Sequence, residues 1–61
     1  DKSYYGRKWA YPILWNSLNQ NGIFISDDIT DNSAFLEFVV QINKKPFIIK
    51  YKNQYLGLMV K

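Results

Sequence analysis

Lysine is the residue type in this chain that is best suited to binding chemistry, and it is unevenly distributed. Five lysines and no acidic residue lie between Phe38 and Lys61, whereas the segment from Asp1 to Glu37 has three basic and five acidic residues. Ammonium groups without neighbouring carboxylates can neutralise phosphates, and aromatic rings beside them can stack on bases. The pattern predicts a nucleic-acid-binding surface formed by Lys44, Lys45, Lys50, Lys52 and Tyr55.

A second interpretation of the same lysines is structural. Lysines protect the edges of sheets from pairing with other chains, and they keep aromatic-rich proteins in solution. Arginine is the residue that most often reads bases in a groove, and Arg7 is the only arginine in the sequence. We therefore expect any binding to nucleic acid to involve mainly the phosphate backbone, with little sequence specificity.

Catalytic chemistry is poorly supported by the composition. The chain has no histidine and no cysteine, so the commonest general base and the best side-chain nucleophile are both missing. Asp27 and Asp31 lie in a turn-forming segment, where aspartates usually shape the loop; weak cation binding is the alternative. The segment lacks the residue order of an EF-hand. We expect no enzyme activity, no metal, no cofactor and no small-molecule substrate.

The residues that would present the lysines have the alternation of β-strands. The segment from Ala34 to Ile42 alternates apolar and more polar side chains. The segment from Phe47 to Lys52 is rich in β-branched and aromatic residues, and a third apolar run extends from Tyr55 to Val60. With turns at Lys44-Lys45 and Asn53-Gln54, the three runs form an antiparallel meander.

This register divides the side chains of the meander into two faces. One face is wholly apolar and is the expected core; it carries Phe38, Val40, Ile42, Phe47, Ile49, Tyr51, Leu56, Leu58 and Val60. The other face mixes apolar and charged residues and includes Gly57, which is either a plain strand residue or a point of close approach. Such a mixed surface is typical of protein contacts, so the candidate interface residues are Phe35, Val39, Ile48 and Met59.

The N-terminal half has weaker patterns. We expect an extended arm over Asp1–Lys8, with Trp9 and Tyr11 as its anchors in the core. Pro12 to Asn21 fits a helix that begins at a proline and ends at a left-handed Gly22. The alternative is a hairpin that turns at Asn21-Gly22. We also expect Trp15 to lie in the core. A short strand is predicted over residues 23–25, followed by a loop over residues 26–33.

Together these features predict one small α+β domain over residues 1–61, with one helix packed on a three- or four-stranded antiparallel meander. If 13–18 were a strand, a small SH3-like barrel would be the alternative. The chain begins with Asp1, so excision from a longer protein is one interpretation. No apolar run approaches the ~18 residues of a membrane span, and no signal peptide is visible. A cytoplasmic location is favoured, although bacterial secretion is also compatible with the composition.

The function expected from the sequence is that of a non-enzymatic binding module. Its partner would be nucleic acid, bound through a basic hairpin, or another protein, bound through the mixed sheet face or an open sheet edge.

Overall fold

Two helices cover one face of a three-stranded antiparallel sheet. The computed structural model describes residues 2–61, in the order α1 (Lys2–Ser17), β1 (Ile23–Ser26), α2 (Ala34–Ile42), β2 (Phe47–Tyr51) and β3 (Gln54–Val60). The strand order in the sheet is β1-β3-β2, so β3 is the central strand. The α+β prediction is confirmed, whereas the barrel alternative is wrong because residues 13–17 belong to a helix.

The segment Ala34–Ile42, predicted as a strand, is the helix α2. Its apolar residues are so dense that they fit a helical face as well as an alternating one, and Ala34, Phe35, Phe38 and Val39 are the buried positions. The flanking residues favour the helix. The Asn32 side chain accepts a hydrogen bond from the Ala34 N–H at 3.0 Å, and Asn43 ends the helix in the left-handed conformation at φ 56°.

Helix α1 begins ten residues before the proline that was predicted to start it. The helix runs from Lys2 through Pro12 to Ser17, so the expected extended arm is wrong for residues 2–8, and Asp1 lies outside the described residues. Tyr11 and Trp15 are buried as predicted, but Trp9 is 72% exposed and is not a core residue. The free energy gained by burying Tyr11 and Trp15 on one side of the helix exceeds the cost of the backbone hydrogen bond that Pro12 removes.

The connection from α1 to β1 turns at Asn21, which has a φ of 71°. Gly22, the residue expected in the left-handed conformation, has no positive φ. The amide of Gly22 donates to the carbonyl of Asn19 at 2.9 Å, and the Gly22 carbonyl accepts from the Lys61 N–H at 2.9 Å. The predicted short strand and the loop that follows it are both present.

The hairpin of β2 and β3 is present, with a register shifted by two residues from the predicted one. Ile49 pairs with Leu56 rather than Leu58. The turn lies at Lys52-Asn53, one residue earlier than expected, and Lys52 takes a φ of 56° there. A shift of two preserves the face to which each side chain points. The division of β2 and β3 into two faces was therefore predicted correctly.

Which of the two faces is inside was predicted wrongly. The helices cover the face that carries Phe24, Gly57 and Met59, and Met59 is fully buried there. Phe35 of α2 lies directly on Gly57, so the close approach at this glycine is made by a ring of the same chain. The core consists of nine buried apolar side chains: Tyr11, Trp15, Phe24, Ile29, Ala34, Phe35, Phe38, Val39 and Met59.

Candidate interaction surfaces

The face of the sheet opposite the helices is apolar along all three strands. Ile25 of β1, Leu58 of β3 and Phe47 of β2 form one row across the sheet, because Leu58 pairs with both of the others. Ile23 pairs with Val60 on one side of this row. Leu56 pairs with Ile49 on the other side, followed by Tyr51 opposite Gln54. We call these eight apolar residues the open sheet face: Ile23, Ile25, Phe47, Ile49, Tyr51, Leu56, Leu58 and Val60.

The open sheet face is exposed although none of its eight side chains is charged. Ile25 is 62% exposed and Phe47 63%, and four of the other six residues are also exposed; Leu56 and Leu58 are partly buried. Its exposed area is on the order of 700 Å² if a fully exposed large side chain offers about 200 Å², whereas the largest apolar patch of a typical monomer is about 300–600 Å². This surface is therefore larger than a solvated monomer usually carries.

The four residues proposed as a protein interface lie on the other side of the sheet. Phe35, Val39 and Met59 are buried in the core beneath the helices, so the expectation that they form a contact surface is wrong. Ile48 remains half-exposed, because it belongs to the edge strand β2 and pairs with Gly57 at the margin of the helices. The prediction failed because Phe35 and Val39 belong to the helix α2, which packs on the face of the sheet that carries Met59.

Two of the predicted nucleic-acid-binding lysines lie at the turn between β2 and β3, which we call the hairpin tip (residues 50–55). The Lys50 ammonium lies 5.9 Å from the centre of the Tyr55 ring, and the Lys52 ammonium lies 5.5 Å from the centre of the Tyr51 ring. Neither lysine forms one of the ion pairs found among residues 2–61. The tip thus combines two ammonium groups that have no carboxylate partner with two tyrosine rings.

Lys44 and Lys45 lie at the opposite end of β2, in the loop that follows α2. The Lys44 ammonium is 5.9 Å from the centre of the Trp15 ring, and the Lys61 ammonium is 5.6 Å from the same ring. Lys61 also donates a hydrogen bond to the carbonyl of Trp15 at 2.7 Å. The lysines of the C-terminal half are therefore divided between the two ends of the sheet instead of forming one patch.

The outer side of α1 exposes a further apolar stripe. Tyr5, Trp9 and Ile13 are spaced by four residues, which places them on one side of the helix, and all three are exposed. On α2, Leu36 and Val40 are likewise exposed. Scattered apolar side chains are normal on helices, and this stripe comprises three side chains of one helix, whereas the open sheet face comprises eight on three adjacent strands.

A polar cluster joins the outer surfaces of the two helices. Glu37 accepts hydrogen bonds from the hydroxyls of Ser33 at 2.6 Å and Tyr4 at 2.7 Å, and these bonds hold the pKa of its carboxyl below the usual value. The ammonium of Lys8 donates to the Tyr4 hydroxyl at 3.2 Å, and this hydrogen bond raises the pKa of Lys8. The group is exposed and its charges are compensated, so it is a structural link between α1 and α2.

The polar groups between α1 and β1 are paired within the chain. An open groove of about 620 Å³ runs between α1 and β1. Polar groups along it are engaged with each other: the Tyr11 and Ser26 hydroxyls share a hydrogen bond of 2.7 Å, and Arg7 donates to the carbonyls of Asp27 and Asp28 at 3.1 Å each. Among residues 2–61, no three acidic side chains form a group able to hold a metal ion.

The helices of the described region are also too short or too polar to cross a membrane. Comparison of the chain with protein-family models, curated proteins and solved structures gave no match. The functional interpretation therefore depends on the surfaces described above.

Proposed function

We propose that this chain is a non-enzymatic protein-interaction module and that the open sheet face is its contact surface. The observation that supports the proposal is the exposure of eight uncharged apolar side chains on three adjacent strands. Exposed apolar patches of this size mark protein contacts more often than they remain in water. The helices already bury the other side of the sheet, so the core does not need this face.

Covering the open sheet face with a partner is energetically favourable. Transfer of apolar area from water stabilises an association by about 25 cal/mol per Å², so a patch of about 700 Å² offers a large driving force before the costs of association are subtracted. A domain of this size buries only about 60% of the surface of its unfolded chain. Further burial in a complex would add to a small stability margin.

Site-specific photocrosslinking in the cells that make the protein tests this function. A benzophenone amino acid replaces Phe47, in the middle row of the face, and in a matched variant it replaces Val40, which is 79% exposed on α2. We expect a discrete protein adduct from position 47, identified by mass spectrometry, that position 40 does not give. Absence of an adduct at position 47, or equal adducts at both positions, would contradict the proposal.

A second candidate function is nucleic-acid binding at the hairpin tip. It is supported by the two ammonium groups without carboxylate partners, Lys50 and Lys52, beside exposed tyrosine rings. Lysines neutralise phosphates and tyrosines stack on unpaired bases, so the tip suits a single strand or a loop, with Tyr55 as the stacking residue. Lys44 and Lys45 would contribute only to a partner that reaches the other end of β2.

Fluorescence anisotropy of labelled single- and double-stranded oligonucleotides tests this candidate. Charge reversal of Lys50 and Lys52 to glutamate should abolish binding, whereas the same reversal of Lys44 and Lys45 should weaken it only slightly. Each phosphate contact should contribute about 0.7 to 0.9 to the slope of log affinity against log salt concentration. No binding at low salt, or equal losses in the two charge-reversed variants, would contradict a site at the tip.

A further inference from the structure

We infer that the partner of the open sheet face is a second copy of this chain, packed face to face in a symmetric dimer. This inference rests on the proposed protein-interaction function and names the occupant of the surface. Three properties of the face lead to it: its area, its chemical uniformity and the way in which a two-fold contact closes.

The area of the face matches what a stable dimer needs. Each molecule would contribute on the order of 700 Å², and standard interfaces bury about 800 Å² per partner. The total accessible surface of the chain, 4562 Å² for 7.3 kDa, is about a tenth larger than the ~4,200 Å² expected of a compact monomer of this mass.

The chemistry of the face suits a copy of itself. In a two-fold contact each residue meets the same patch on the other molecule, so a charge near the axis would face its own copy. The row of Ile25, Leu58 and Phe47 carries no charge, so this repulsion does not arise if the axis lies there. The Lys52 ammonium, 5.5 Å from the centre of the Tyr51 ring, lies at the far end of the face, away from this row. Homodimer interfaces are also more apolar than transient ones, which mix polar groups into the contact.

The geometry of sheets allows the contact and also limits it. Two sheets pack face to face about 10 Å apart with strands turned by about 30°, as in sandwich folds. The resulting complex would have four layers, with the helices outside and both apolar sheet faces inside. Because a two-fold contact uses the same face on both molecules, association stops at two copies rather than continuing to a filament.

Sedimentation equilibrium of the purified chain tests the inference, over about 0.1 to 100 µM because interfaces of this area range from micromolar to picomolar in affinity. We expect a mass of twice the 7.3 kDa chain, approached with rising concentration. The dimer should be unchanged or stronger at high salt, because each copy has a net charge of +3 and salt screens the repulsion. A wild-type chain that stays at 7.3 kDa throughout the range overturns the inference.

Paired variants show whether the association uses the open sheet face. Changing Ile25→Lys together with Phe47→Lys places two unpaired charges in the contact and should weaken dimerisation about 100-fold or more. The matched change Val40→Lys, at an exposed apolar residue of α2, should alter it less than about threefold. Equal effects of the two sets, or a larger effect at Val40, would overturn the inference.

Circular dichroism of each protein shows whether the double lysine variant is folded. If that variant does not fold, Ile25→Thr with Phe47→Thr replaces it, since threonine keeps the preference for strands while removing apolar area. A folded threonine pair that dimerises as tightly as the wild type overturns the inference.

Failure of the inference can be separated from failure of the proposed function. A monomeric wild-type chain that gives a discrete adduct to a different, identified protein at position 47 retains the interaction function and rejects the second copy. A monomeric chain without any adduct at that position rejects both.

Discussion

Replacing Gly57 with alanine should destabilise the fold, although an alanine is normally the better residue in a strand. A Cβ added to Gly57 would lie 2.9 Å from Cε1 of Phe35 and closer still to two other atoms of that ring. Ordinary contacts between carbon atoms are about 3.5–4.0 Å. The ring would therefore have to move by roughly an ångström, and Phe35 is fully buried, with the Tyr11 ring 6.2 Å away.

The expected cost follows from two opposing effects. Overpacking of a core costs about 1–3 kcal/mol, while replacing glycine lowers the entropy of the unfolded chain and returns about 0.4–1 kcal/mol. A net loss of about 1–2 kcal/mol is a large part of the roughly 3–9 kcal/mol expected for a chain of this length. In a domain this small it would lower Tm by roughly 10 °C.

Urea unfolding followed by tryptophan fluorescence measures the loss, at one fixed protein concentration because association would shift the midpoint. Gly6→Ala is the matched control, since nothing lies within 4 Å of the added methyl and the site is inside α1; it should stabilise by about 0.5–1 kcal/mol. On the Gly6→Ala background, Phe35→Leu should reduce the cost of Gly57→Ala by about 1 kcal/mol or more. A Gly57→Ala variant as stable as the wild type would refute this packing.

Three further predictions concern hydrogen bonds and caps. Tyr11→Phe should cost about 1–2 kcal/mol in urea unfolding because it leaves the buried Ser26 hydroxyl without its 2.7 Å partner, and adding Ser26→Ala should recover part of the loss; no recovery would contradict the pairing. Asn43→Ala should lower thermal stability by about 1 kcal/mol because Asn43 has a φ of 56°, whereas Asn43→Gly should be nearly neutral; equal losses would contradict a left-handed cap. The folded pKa of Glu37 lies below its unfolded value of about 4.5, so its contribution to stability is present above that pH and is lost as pH falls through the folded pKa. Glu37→Gln should therefore flatten the pH dependence of unfolding in that acidic window, and an unchanged profile would contradict the hydrogen bonds from Ser33 and Tyr4.

The C-terminal hairpin was the part of the fold most open to prediction from sequence. Phe47–Tyr51 and Gln54–Val60 have β-branched and aromatic residues at alternating positions, and these local preferences agree with the final structure. The register was wrong by two because neither candidate turn has the Asn-Gly chemistry that fixes a hairpin. The side chains were nevertheless assigned to the correct faces, since an even shift does not exchange them.

The inside of the sheet could not be predicted, because the more apolar of its two faces is the exposed one and the mixed face also carries large apolar side chains, Ile48 and Met59. Periodicity shows which side chains share a face, but only the position of the helices decides which face is buried. Ala34–Ile42 was assigned to the sheet, so the side that α2 covers was placed outside. Asn32, Ser33 and Asn43 were the available signals for a helix, as residues that favour helix ends, and they were outweighed by the apparent alternation between them.

Prediction of the open sheet face and of the lysine surface likewise depended on knowing how the helices pack on the sheet. Six residues of the open sheet face were correctly grouped as one apolar set, namely those on β2 and β3, but that set was expected to form the core. Ile23 and Ile25 of β1 were not assigned to it, and it wrongly included three residues of α2. The lysines were correctly identified as exposed, yet their grouping into a single surface assumed a meander whose first turn was Lys44-Lys45. With α2 in place of the first strand, Lys44 lies beside Trp15 and the hairpin tip keeps only Lys50 and Lys52.

The most direct test of the dimer is an isotope-filtered NOE measurement on a mixture of ¹³C-labelled and unlabelled chains. In such a sample, signals between a labelled methyl group and an unlabelled proton can arise only between two molecules. The account predicts intermolecular signals from the methyl groups of Ile25, Ile49 and Leu58, and none from the methyl groups of Val40. Absence of intermolecular signals from the open sheet face at a concentration where the chain is dimeric, or signals confined to the helices, would contradict the account.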